Sequence, residues 1–338
     1  MNENLRADLR IIQSERKGKF VLFSELSPDC NKEWLITGLL GHGELSVVYG
    51  HPGSGKSVFA EDAALRIAAG WDVHGRPVRR GAVLYVALER YGLVKRRAIA
   101  FRIKHGLTDL PFAIMGGVFD LRDSTLAQAI VAVAKEVEAV TGELIVLIVI
   151  DTLSRALAGG DENSPKDMGA IVKSAAIIGQ GTGAHVCFIH HMPKESESMR
   201  GHGALLGAAD TTILVSKGAS VRTAEVIKAN DSQEGEQLAF TLESVQVGTD
   251  GETTAPVVVP AEKPAEQVSN DNLTKNQRTM FTVLHDAGPN GLSTDDWNAK
   301  AREIGIGEKR RADLVDIRSA LKAKGLVSQY GDRWTVHH

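Results

Sequence analysis

Residues Gly50-His51-Pro52-Gly53-Ser54-Gly55-Lys56-Ser57 have the spacing G-x-x-x-x-G-K-S. These residue types in this order suit one chemistry, the cradling of a phosphate chain. Gly53 and Gly55 let successive backbone N–H groups curl toward an anion, and a helix beginning behind them adds its partial positive charge. Lys56 would reach the terminal phosphates, and the Ser57 hydroxyl would ligate Mg²⁺. Gly50, Pro52 and Ser54 complete the expected nucleotide-contacting turn. Hydrolysis needs further groups: a metal-holding acid, a group that polarises water and a sensor of the γ-phosphate. Asp151 closes the apolar run 144–150 and is suited to the metal shell; the plainer alternative is a strand-ending cap. Glu89 closes the run 83–88 and could orient or deprotonate water, or simply face solvent. His190 and His191 close the run 185–189; either could hydrogen-bond a γ-phosphate, or serve as a core or capping histidine. As a metal pair they lack a third ligand at a suggestive spacing. Arg200, in the polar stretch 192–203, could offset transition-state charge in a neighbour's site, or decorate the surface.

These residues need a frame. The segment 45–49 is short, apolar and partly β-branched, which predicts a buried strand. The segment 58–69 is Ala-rich, with Phe59, Ala63 and Ile67 on one face, which predicts a helix. Further buried strands are expected at 82–88, 112–115, 144–150, 185–189 and 212–215, with helical patterns between them, notably 126–140. The alternation predicts an α/β domain with a mainly parallel central sheet. Segments 221–227 and 237–242 flank Asp231-Ser232-Gln233-Glu234-Gly235 and predict a closing hairpin.

The expected divisions are a lead-in at 1–40, an ATPase-type domain at 41–250, a linker at 251–272 and a small unit at 273–338. Glu33-Trp34-Leu35-Ile36 in the lead-in could pack near the nucleotide, on a neighbouring subunit or in the core. Pro256, Pro260 and Pro264, among Thr, Ala, Glu and Gly, mark the linker. Across 338 residues, 43% are apolar and 24% charged, as in a soluble globular chain. A net charge of −3 excludes a simple polybasic binder. The two cysteines, Cys30 and Cys187, fit a reducing cytosol. No apolar run is long enough to span a membrane, so a cytoplasmic location without membrane contact is expected.

The ordered set G-x-x-x-x-G-K-S, A-L-E, a strand ending in D-T-L, H-H-x-x-K and R-G-x-G-A-L-x-G-A-A-D resembles the RecA-like P-loop ATPases of the plasmid RepA hexameric helicase type. The likeness covers roughly residues 33–247. It implies ATP and Mg²⁺ as cofactors. It also implies Lys56 and Ser57 on the nucleotide and metal, Glu89 as catalytic base, Asp151 on Mg²⁺, His190 or His191 as sensor, and Arg200 as an arginine finger acting in a neighbour. Relatives form six-membered rings with ATP between subunits. In related ring helicases a hairpin K-x-[KR] pair reaches the neighbour's nucleotide. Here the sequence is Lys228-Ala229-Asn230, so Lys228 fits and Asn230 departs. In a ring, DNA contacts would come from channel-facing loops, for which 154–166 and 193–203 are candidates, with Arg155, Lys166 and Lys194 on phosphates; the alternative is that both are plain connections.

In 273–338, Thr274 is expected to cap a first helix, Thr294 a second, and 310–324 to form a third. Segments 326–329 and 333–336 predict a hairpin. The unit resembles a winged helix. It holds eleven Lys and Arg against eight Asp and Glu, a net +3, which leaves −6 for the rest of the chain. Lys309, Arg310, Arg311, Arg318 and Lys322 gather near the third helix, as phosphate contacts or as a solvated face for protein docking. The leading expectation is an ATP-driven DNA motor, a hexameric replicative helicase, with any primase or initiator on another chain. The alternatives are a RecA-like recombinase or mediator, and an ATP-gated DNA-binding loader or regulator.

Overall fold

The computed structural model describes residues 21–27, 30–192, 203–262, 273–288, 290–307, 311–324 and 326–336. The chain divides into two compact units at residue 262. The strands of the first are β1 (Trp34–Ile36), β2 (Leu40–Gly41), β3 (Leu45–Gly50), β4 (Ala82–Ala87), β5 (Phe112–Gly116), β6 (Ile145–Asp151), β7 (His185–His191), β8 (Thr211–Lys217), β9 (Arg222–Ala229), β10 (Gln237–Gln246) and β11 (Thr254–Pro260). Its helices are α1 (Lys56–Ala69), α2 (Tyr91–His105), α3 (Ser124–Thr141), α4 (Leu153–Ala156), α5 (Pro165–Thr182) and α6 (Gly203–Ala208).

Nine strands form one sheet in the order β11-β10-β9-β8-β3-β7-β6-β4-β5. The pairs from β8 to β5 are parallel, and β8-β9, β9-β10 and β10-β11 are antiparallel. The expected α/β class with a mainly parallel sheet is therefore observed. Strand alternation sends Val83, Tyr85, Val149, Cys187 and Ile189 to the face that packs α1. Leu84, Val86, Ile148, Ile150 and Phe188 go to the other face, under α3 and α5. Both faces are covered, which is why these strands read as continuous apolar runs.

Two expected boundaries are corrected. The lead-in is partly core, because β1 pairs with β2 and Leu35, Ile36 and Leu39 are buried in the α1-side cluster. The linker starts too early, because 254–260 is the terminal strand β11, paired along its length with β10. Pro256 and Pro260 fit there because an end strand tolerates a missing N–H. Ala255, Val257 and Val258 fill the core under α1 and α2. Among the described residues, no helix is long and apolar enough to cross a membrane.

The second unit contains α7 (Lys275–His285), β12 (Leu292–Ser293), α8 (Thr294–Glu303), α9 (Arg311–Ala323), β13 (Val327–Tyr330) and β14 (Arg333–Val336). The three helices and the hairpin match expectation, and the short β12 adds a third antiparallel strand beside β14. Thr274 caps α7 in a reciprocal box with Gln277. The cap of α8 is Ser293, whose hydroxyl accepts from the Asp296 N–H at 3.1 Å; Thr294 is already helical and its hydroxyl donates to the Asp332 carbonyl. Trp297 lies fully buried at the centre, its indole N–H donating to the Met280 carbonyl at 2.9 Å.

Candidate active site

The strands β3, β4, β6 and β7 run parallel, so their C-terminal ends and the loops that follow share one edge of the sheet. The chain leaves β3 at Gly50, whose φ is +147° and where a Cβ would lie 2.3 Å from the Val215 carbonyl oxygen. Only glycine lets β3 and β8 close up there. At Gly53, φ is +80° and nothing stands within 4 Å of where a Cβ would be, so the loop is open on that side. The Ser54 hydroxyl is buried with no hydrogen-bond partner. An open glycine loop with an orphaned donor at the start of a 14-residue helix fits an anionic phosphate chain.

Lys56, Ser57, Glu89, Asp151 and His191 line one cavity of about 240 Å³ with this loop. Lys56 is 3% exposed, and its ammonium donates to the His51 carbonyl at 2.8 Å. Burial pushes its pKa down to about 8, while the carboxylates of Asp151 and Glu89 pull it back up. Asp151, the last residue of β6, is buried, and burial raises its pKa. Hydrogen bonds from Tyr85 and Ser57, and the charge of Arg97, oppose that rise. Tyr85 donates to Asp151 Oδ2 at 2.8 Å. Glu89 follows β4, held by its N–H donating to the Asp151 carbonyl at 3.1 Å. Its carboxylate stands 3.7 Å from His191 Nε2 and 3.5 Å from Arg90 Nε. A strand-end acid, a partly exposed carboxylate and a lysine in one cavity are the kinds of group that nucleotide hydrolysis would use. Ser57 and Asp151 supply hydroxyl and carboxylate oxygens of the kind that Mg²⁺ prefers.

The two histidines separate. His191 shares the face of Cys187 and Ile189 and points to the cavity. Its pKa is lowered by burial and by the Lys56 cation, against the pull of Glu89 and Asp151. His190 shares the face of Phe188, is fully buried, and lies 4.0 Å from Glu162. Glu162 also accepts from the Ser154 hydroxyl.

Lys228 is not at this cavity. It donates to the carbonyls of Leu206 at 3.0 Å and Ala209 at 2.5 Å, satisfying the C-terminal end of α6. Arg200 and Lys194 lie outside the described residues. Arg155 is exposed on α4, and Lys166 is in the first turn of α5. In the second unit, Arg318 is only 7% exposed; its guanidinium bonds Asn298 and lies over the Trp334 ring at 5.8 Å. Lys322 lies over the same ring at 5.9 Å. Arg318 is thus a packing residue, not the open phosphate contact expected of it. Lys309 and Arg310 lie outside the described residues.

Sequence reading missed Arg97 and Glu61. Arg97 lines the cavity from α2 and reaches Glu61 at 3.4 Å. Glu61 is 1% exposed on α1, and burial pushes its carboxyl well above the usual range, against Arg97. The available signal was position: Glu61 is one turn after Ser57, on the same helix side.

A family model described as an AAA domain matches residues 14–197, more than half of the chain. No curated protein matches it.

Proposed function

This chain belongs to the AAA domain family and carries an ATPase-type, nucleotide-binding domain, and on that premise we propose that it is an ATP-driven DNA motor. In this reading it is a RecA-like, ring-forming replicative helicase that hydrolyses ATP at its subunit interfaces. The observation that carries the reading is the convergence of Lys56, Ser57, Asp151, Glu89 and His191 on one cavity beside the glycine loop. A carboxylate beside the lysine and the strand-end acid favours hydrolysis over nucleotide-gated switching alone.

Bound ATP–Mg²⁺ would supply the phosphoanhydride to be cleaved and the cation that neutralises its charge. Ser57 and Asp151 would hold the cation. Lys56, freed from the His51 carbonyl, would contact the terminal phosphates. Glu89 would orient the attacking water, and His191 would stand as the sensor at the strand end. Arg200 of a neighbouring copy would offset developing charge. His191, rather than His190, is favoured as sensor by its side of β7.

The C-terminal unit is read as a winged-helix-like module for duplex DNA or for a primase or initiator on another chain. Its net positive charge supports that reading, with 309–311 and the exposed Lys322 as cationic candidates once Arg318 is absorbed in packing. DNA affinity through those residues should fall linearly in log K with log salt.

A forked-duplex unwinding assay tests the motor. Strand separation with ATP, and none with a non-hydrolysable analogue, is the expected result. DNA-stimulated hydrolysis without separation would move the reading to a recombinase or loader. A mixture of Arg200→Ala and Lys56→Ala subunits, each nearly inactive alone, should regain hydrolysis if the site is shared. No recovery in well-mixed oligomers, with Arg200→Ala active alone, would remove Arg200 from the site.

A further inference from the structure

We propose that Tyr85 is a positioning residue for the divalent cation, its hydroxyl fixing the Asp151 carboxylate from inside the core. The inference rests on the reading of Asp151 as a metal ligand. The geometry follows from strand register. Tyr85 on β4 pairs with Val149 on β6, and Ala87 pairs with Asp151. Tyr85 and Asp151 therefore share a sheet face, diagonally and two residues apart, a separation that an aromatic side chain spans. The phenol lies along the sheet, with its oxygen 2.8 Å from Asp151 Oδ2.

Every other property of the position suits a plain hydrocarbon. Tyr85 is 0% exposed, within a cluster of Val, Ile, Ala and Phe side chains, and its ring stands 6.3 Å from that of Phe112. A phenylalanine would fill the same space without a polar atom to satisfy. The hydroxyl has its hydrogen-bonding use in Asp151. With Oδ2 accepting from Tyr85, the carboxylate has lost its freedom to rotate. Its remaining acceptor capacity faces Ser57 and the cavity. Buried Glu61 accepts from Arg97 at 3.4 Å through one oxygen, while the Tyr85 hydroxyl is directed to Asp151 Oδ2. Partners that orient a metal ligand from behind typically change metal affinity about 10- to 100-fold when removed.

The test uses the full chain and two variants, Tyr85→Phe and Asp151→Asn. Mn²⁺ binding in the presence of ADP is read by electron paramagnetic resonance. Affinity for a fluorescent ADP is read separately in EDTA. Tyr85→Phe should weaken Mn²⁺ binding about tenfold or more, while metal-free ADP affinity stays within about twofold of wild type. Asp151→Asn should weaken Mn²⁺ binding further and make the Tyr85→Phe change silent in the double variant. If Asp151→Asn weakens Mn²⁺ binding and Tyr85→Phe does not, the positioning role is overturned and the reading of Asp151 survives. If Asp151→Asn leaves Mn²⁺ affinity unchanged, both fall. Equal losses of Mn²⁺ and metal-free ADP affinity in Tyr85→Phe would make the hydroxyl a packing group and overturn the role.

Discussion

Charged groups at the sheet edge and charged groups along α9 meet different fates. Lys56 and Asp151 are buried, yet both open onto a cavity, and each is held by a neutral donor or acceptor rather than by a full ion pair. Arg318 is equally buried, but its guanidinium is consumed by Asn298 and the Trp334 ring. Burial alone therefore does not mark function. What marks it is a buried charge whose partners are weak enough to be exchanged for a ligand. The His51 carbonyl on Lys56 is such a partner; an aromatic face with a side-chain acceptor in a packed core is not.

The contrast gives predictions of decreasing size. Lys56→Ala should cut ATP turnover on the order of 10³-fold, because the lost contact strengthens as charge develops; phosphate release measures it. Wild-type turnover in that variant would put Lys56 in the same class as Arg318.

A second prediction concerns a histidine that is buried without opening on the cavity. His185 lies between the Gly41 carbonyl at 2.8 Å and the Ser46 hydroxyl at 2.7 Å, and burial pushes its pKa down to about 4 from 6.5. The folded pKa is below the unfolded one, so the unfolded state binds more protons between them. Its contribution is complete above pH 6.5 and is lost as pH falls toward 4. A 2.5-unit gap at about 1.4 kcal/mol per unit makes about 3 kcal/mol at full titration. Asp62, raised by burial to about 6, works in the opposite direction. The quantity to read is therefore the difference in urea-unfolding stability between wild type and His185→Gln. That difference should shrink as pH is lowered from 7 to 4; a constant difference would deny His185 its buried neutral state.

Third, His191→Ala should lower turnover about tenfold or more, the value of one hydrogen bond to a charged group. His190→Ala should leave turnover nearer wild type in the same phosphate-release assay, since His190 faces Glu162 and not the cavity. Reversed effects would contradict the side assignment. Smallest, Arg318→Met should lower the stability of the C-terminal unit by about 1 kcal/mol, a cation–π contact and a partly exposed hydrogen bond. DNA affinity at matched salt should hardly move, whereas Arg310→Glu with Arg311→Glu should weaken it at every sequence.

Much of the site was legible because its residues obey local rules. The loop is contiguous, and Glu89 and Asp151 end apolar runs whose strand character is unambiguous. The choice between His190 and His191 was also available in principle. Counting by twos from the buried run puts His191 with Cys187 and Ile189, although which face carries α1 needs the fold. What the sequence hid were pairings between distant segments. The prolines of 254–260 look like a linker, and only the partnership with β10 makes them an end strand. Arg97 meets Glu61 across two helices, 36 residues apart. Arg318 looks like an open helix cation until Trp334, from the hairpin, closes over it.

Whether this chain hydrolyses ATP with a divalent cation held at Asp151 is decided by phosphate release from the purified full chain, with Mg²⁺ and with EDTA. Turnover that requires Mg²⁺, and that is lost in Asp151→Asn while the variant stays folded, is the expected result. Turnover that persists in EDTA, or that Asp151→Asn leaves intact, would contradict it.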